Sequence, residues 1–206
     1  MLDCGAISHH NKGKPGRTEG LRLLADVEGC RKEILDPLEA LGASKQVYIL
    51  GNHERWLEDL TDDQPELEGI ADPAHLLKLD PKAWTVIPQG GYYRAGKLWF
   101  MHGDTLGGGA NVSRKAVTDG GRSVRFGHHH TYQVTTKTSF LDESQGHTGV
   151  AVPCLCTRDP KYGQGKGNAW IQGLNWGYIN PDGTFNDYVA IITNGKMTIH
   201  GKIYKG

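Results

Sequence analysis

Val47-Tyr48-Ile49-Leu50-Gly51-Asn52-His53-Glu54-Arg55-Trp56-Leu57 is the stretch on which the fold reading turns. The apolar run 47–50 has the length of a buried strand, and Arg55-Trp56-Leu57 reads as the start of a helix. Between them Gly51 lets the backbone turn, and an amide oxygen (Asn52) and an imidazole (His53) stand at a strand end. Side chains in that position can hold a metal ion and move a proton. Two further clusters follow in order, His102-Gly103-Asp104 and Gly127-His128-His129-His130. Each repeats the pattern of an apolar strand followed by Gly and His. Residues 98–101 precede His102, and residues 123–126 precede His128 and His130.

Working outward, residues 1–17 read as a polar loop containing Lys12, Lys14 and Arg17. Residues 18–42 read as helical, with Leu21, Leu24, Val27, Ile34, Leu35, Leu38 and Leu41 near a 3.6-residue period. Asp36-Pro37 predicts a break or kink, because proline donates no N–H, and Gly42 is placed to end the helix. Residues 61–82 form an acidic insert with a short helix around 74–79. From about residue 84 the period moves toward two, with strands at 84–87, 92–95, 97–101, 123–126 and 133–138 and a helix at 110–118. Asn194-Gly195 between the runs 188–193 and 196–200 is a hairpin signal. Strand-helix units early and antiparallel strands late predict one α/β domain over 1–206, a two-sheet β-sandwich flanked by helices.

Composition narrows the class. Across 206 residues the hydrophobic fraction is 37% and the charged fraction 22%, enough to build a core. Lys plus Arg and Asp plus Glu are 23 each, which argues against a strongly basic nucleic-acid binder while leaving a local groove open. No run is apolar for the roughly 18 residues a membrane span needs, and no basic-then-apolar leader opens the chain. The expectation is a cytoplasmic protein with no membrane partner. The cysteines Cys4, Cys30, Cys154 and Cys156 are too few for a disulfide scaffold, and Cys154-Leu155-Cys156 lacks zinc-knuckle or redox spacing, so they read as buried or half-buried thiols.

A single histidine at a strand end is ordinarily a loop residue bonded to backbone. Three Gly/His clusters at successive strand ends favour metal ligation, since imidazole suits Zn, Mn and Fe and an Asn oxygen suits a hard-to-borderline ion. Alternation along an extended segment would point His128 and His130 to one side and His129 to the other, so that two imidazoles serve neighbouring ions.

The ordered set Gly51-Asn52-His53-Glu54, His102-Gly103 and Gly127-His128-His129-His130 resembles the calcineurin-like metallophosphoesterases. That resemblance implies a two-sheet sandwich with helices outside, a centre of two divalent ions (Mn, Fe, Zn or Ni) and phosphoester hydrolysis. It implies that Asn52, His102 and His128 bind one ion and His130 the other, and that His53 protonates the leaving-group oxygen. Two ions about 3.5–4 Å apart would bind phosphate oxygens and generate hydroxide at neutral pH. A poised imidazole adds roughly 10²–10⁴-fold.

The family's Asp-x-His and bridging Gly-Asp are not found ahead of Asn52. If Met1-Leu2 occupy the spacer of a Gly-Asp-x-x-Asp element, Asp3 is the carboxylate that orients His53; otherwise it is a solvated terminal acid. The expectation is therefore a chain lacking its N-terminal metal motifs and its first one or two strands, binding at most one divalent ion weakly and hydrolysing phosphoesters poorly. A catalytically degenerate metal-binding or structural module is the alternative. Arg17 is a candidate for substrate phosphate or a surface charge. Gly107-Gly108-Gly109 reads as close backbone approach at the site mouth, and Asp104 as a carboxylate orienting His102. Trp170, Trp176, Tyr178 and Tyr188 read as packing aromatics. The substrate class stays open among a nucleic-acid phosphodiester, a nucleotide and a phosphoprotein.

Overall fold

The computed structural model describes residues 4–8, 20–139, 141, 146–158 and 168–206. Asp3, His9, His10, Lys12, Lys14 and Arg17 lie outside the described residues, as do the roles expected of Asp3 and Arg17. The chain is mixed α/β and is organised as two compact units, Met1–Gln89 and Gly90–Gly206. Among the described residues no helix is long and apolar enough to cross a membrane.

The first unit opens with one helical run in three parts: α1 (Leu23–Cys30), a π-helical stretch Arg31–Leu35, and α2 (Asp36–Ala40). The disturbance expected at Pro37 is this π stretch. Asp36 N–H reaches back five residues to Arg31 O, and the run continues through the proline rather than ending there. Gly42 closes it at φ +65, with its N–H on Glu39 O at 3.0 Å. Strand β1 (Gln46–Ile49) pairs in parallel with β2 (Trp84–Ile87), Tyr48 opposite Val86. Between them lie α3 (Asn52–Asp63) and the short α4 (Pro73–Leu76). The core gathers Val27, Leu35, Leu57, Leu77 and Trp84, with Leu57 and Leu77 wholly buried. Arg31 clamps the helical run to this core through two bonds to Glu39 (2.9 and 2.8 Å) and one to Leu77 O, while Trp84 Nε1 donates to the same Glu39 carboxylate.

The second unit is built on a five-stranded sheet of β3 (Tyr93–Ala95), β4 (Leu98–Met101), β5 (Ser123–Phe126), β6 (Gln133–Lys137) and β7 (His147–Ala151), in the order β3-β4-β5-β7-β6. The central strands β4, β5 and β7 run parallel, and the two outer strands are antiparallel to them. Helix α5 (Val112–Gly120) connects β4 to β5 and packs across β5, β6 and β7. Its approach needs Gly149, because a Cβ there would stand 2.3 Å from Ser113 O. Two antiparallel pairs complete the unit: β8 (Gly173–Ile179) with β9 (Phe185–Ile191), and β10 (Lys196–Ile199) with β11 (Lys202–Lys205). Asn194-Gly195 forms the expected tight turn, both residues at positive φ and Thr193 exchanging two backbone bonds with Lys196. Strands β7, β8 and β11 were not legible in the sequence pattern.

Candidate metal centre

In the first unit the strand-to-helix junction begins earlier than the sequence suggests. Helix α3 starts at Asn52, not Arg55, so Asn52 and His53 form its first turn, both half-buried. Glu54 explains the earlier start. The residue is 2% exposed, and its carboxylate accepts from Gly51 N–H and from the Tyr48 hydroxyl, each at 2.8 Å. It thereby caps a helix N-terminus and ties it to β1. Gly51 has φ −111 and ψ −172, a backbone open to any residue, so the turn does not draw on glycine's left-handed freedom. The His53 ring stacks on Trp56, centroids 4.4 Å apart and planes within 19°, as residues three apart on a helix can.

In the second unit the topology does what the strand-end pattern anticipates. Strands β4 and β5 are parallel with Met101 opposite Phe126, so His102 and His128 follow the carboxyl ends of adjacent strands, where α/β sheets gather their ligands. His128 Nδ1 and His102 Nε2 stand 3.2 Å apart. Burial, then the neighbouring His102, lowers the His128 imidazole to about 4. It is neutral at neutral pH, the form that ligates a cation. Gly103 is required here: its φ is +107, and a Cβ would meet the Phe126 ring at 3.0 Å and Gly127 O at 3.3 Å. His129 turns its Nε2 to Gly103 O at 3.2 Å and packs edge-on against Phe126, which fixes the loop. Asp104 opens a short 3₁₀ turn, and its charge opposes the lowering of the His128 pKa.

The extended alternation assumed for the histidine run does not occur. His128 and His130 both adopt left-handed backbone, φ +65 and +55. His130 places Nδ1 3.9 Å from Cys156 Sγ, and its ring meets Trp170 edge-on at 4.1 Å. Cys154 and Cys156 follow the carboxyl end of β7, parallel to β5 with Ala151 opposite Phe126. The ligand atoms of His130, Cys154 and Cys156 all lie within 4.8 Å of one another. Hydrogen bonding from Cys156 is the main cause lowering the Cys154 thiol to about 7. Sequence reasoning set these cysteines aside for their spacing. The strand pairing that returns them to His130 leaves no local trace.

The pair His102–His128 fits a divalent ion. Two nitrogens bound to one ion at about 2.0–2.1 Å stand roughly 2.8–3.0 Å apart across an octahedral edge and roughly 3.3–3.4 Å across a tetrahedral one, which bracket the observed separation. A cleft of about 1210 Å³ in the same unit, lined by Arg94, Lys97, Arg122, Arg125, His147 and Asp187 among others, includes none of His102, His128 and His130. The site chemistry and this cleft are thus separate features. No family model matches the chain, and neither a curated protein nor a solved structure matches it.

Proposed function

We propose that this chain is a metal-dependent phosphoester hydrolase of the calcineurin-like kind, with the two-sheet sandwich that goes with that family. The observation that carries the reading is the His102–His128 pair, two imidazoles 3.2 Å apart at the carboxyl ends of parallel strands, one held neutral by burial. They would hold a divalent ion. A bound ion supplies Lewis-acid polarisation of a phosphoryl oxygen and a more acidic water. The chain's own contribution is positioning. Glu54 fixes the helix turn that carries Asn52 and His53, and Trp56 sets the plane of the His53 ring. Proton donation to a leaving alkoxide is the role that the resemblance gives His53. The substrate is a phosphomonoester or phosphodiester, with nucleotides and nucleic acid included.

The test pairs binding with turnover. Manganese titration of the full chain is expected to show binding that His102→Ala weakens by more than about 10-fold, the lower end for disturbing a metal's supporting residues. Hydrolysis of p-nitrophenyl phosphate and bis(p-nitrophenyl) phosphate is expected to be slow, manganese-dependent and reduced by His53→Ala. Manganese binding without any hydrolysis would replace the hydrolase by a metal-binding module, and no binding would remove both.

A further inference from the structure

A second cluster carries different chemistry. We propose that His130, Cys154 and Cys156 hold a single zinc ion, with the fourth position of the tetrahedron open to water or an exogenous ligand. This goes beyond the phosphoesterase reading and withdraws His130 from the second-ion role that the resemblance gives it.

Geometry is the first support. Zinc binds sulfur at about 2.3 Å and imidazole nitrogen at about 2.0–2.1 Å, so a tetrahedral site spaces S and N by roughly 3.6 Å and two sulfurs by roughly 3.8 Å. The observed Cys156 Sγ to His130 Nδ1 distance is 3.9 Å, and no pair in the cluster exceeds 4.8 Å. Closing onto an ion therefore asks for side-chain shifts of about 1 Å or less.

The backbone holds the three residues in place. Ile171 N–H donates to His130 O at 2.8 Å, Cys154 N–H to Ile171 O at 3.0 Å, and Gly173 N–H to Cys154 O at 2.9 Å. Gln172 adds Nε2 to Cys156 O at 2.9 Å, and it pairs with Cys154 as a parallel bridge. One short segment, 171–173, thus stitches both ligand loops together. His130 keeps its aim through a left-handed backbone, φ +55, that non-glycine residues adopt only under constraint.

Charge favours zinc over a hard ion. Two thiolates and a neutral imidazole cancel a divalent cation, so a site in which His130 and Cys154 are each 8% exposed buries no net charge. Thiolates select soft or borderline ions and discriminate against Mg and Mn. Cys156 is half-buried, which leaves the cluster reachable on its side.

The experiment uses the full chain stripped of metal and reloaded with Co(II) as a spectroscopic stand-in for zinc. The parent chain is expected to show a thiolate-to-cobalt charge-transfer band at one equivalent, bleached by zinc. Cys154→Ser and Cys156→Ser should each abolish the band and weaken zinc by more than about 100-fold, beyond what losing an outer partner does. Cys30→Ser should keep the band. Zinc should also protect Cys154 and Cys156 from alkylation, read by peptide mass mapping of the parent, which needs no variant to fold. A cobalt complex of the parent without that band, or one whose band survives Cys154→Ser, overturns the proposal. Oxidation to a Cys154–Cys156 disulfide that zinc fails to prevent also overturns it.

Discussion

Replacing Glu54 by alanine tests whether the strand-to-helix junction is held as the structure indicates. The Glu54 side chain is buried and accepts two 2.8 Å hydrogen bonds, from Gly51 N–H and Tyr48 Oη, both on buried residues. Truncation takes that acceptor from both donors, at about 1–3 kcal/mol for each buried group that loses a partner. It also leaves a small void beside Tyr48. Water entering the void offsets part of this, so the expected loss is about 3 kcal/mol. Glu54→Gln keeps one oxygen for Gly51 and an amide facing the Tyr48 hydroxyl, and should cost only about 1 kcal/mol. Tyr48→Phe removes one of the two bonds and should cost about 1 kcal/mol as well. Because that bond is shared, Glu54→Ala and Tyr48→Phe should not add, with a coupling of about 1 kcal/mol in a double-mutant cycle. Urea unfolding followed by tryptophan fluorescence reports on the first unit through Trp56 and Trp84. If Glu54→Ala lies within about 0.5 kcal/mol of the parent, or Glu54→Gln is as damaging as Glu54→Ala, the capping account is wrong.

Other consequences are as concrete. Gly103→Ala places a Cβ at φ +107 and 3.0 Å from the Phe126 ring, so a loss of about 1–3 kcal/mol in the thermal unfolding of the second unit is expected, together with weaker manganese binding; an unchanged melting curve refutes it. Asp187 titrates below the ordinary carboxyl value: burial pushes it up, but the bonds from Arg125 (2.7 Å for one of them) and Asn175 outweigh that. A depressed native pKa means that the unfolded chain takes up the proton first, so this stabilisation is present above about pH 4 and is lost as pH falls further. Melting temperature against pH should therefore fall more steeply below about pH 4 in the parent than in Asp187→Asn, which starts lower at neutral pH. Leu57→Ala empties a fully buried position in the first core and should cost about 2–5 kcal/mol in urea.

The helical run ending at Gly42, the tight turn at Asn194-Gly195 and the strands ahead of His102 and His128 were legible because each depends on neighbours in sequence. Apolar period, a missing proline N–H and left-handed turns act over a few residues, and their marks sit where they act. The placement of His102 and His128 after strand ends was legible for the same reason. Their approach to 3.2 Å was not, since it follows from the parallel pairing of Met101 with Phe126, twenty-five residues apart. Glu54 looked like part of a catalytic motif, and tertiary packing against Tyr48 gives it a structural task. His130 was misread in a specific way. Alternation presumes extended backbone, and φ +55 takes the residue out of that geometry and aims it at Cys156. The sequence by itself determined which chemical groups stand at the strand ends. Only the tertiary structure decided which of those groups meet, because strand register and chain return are set by burial and hydrogen bonding among segments that share no local pattern.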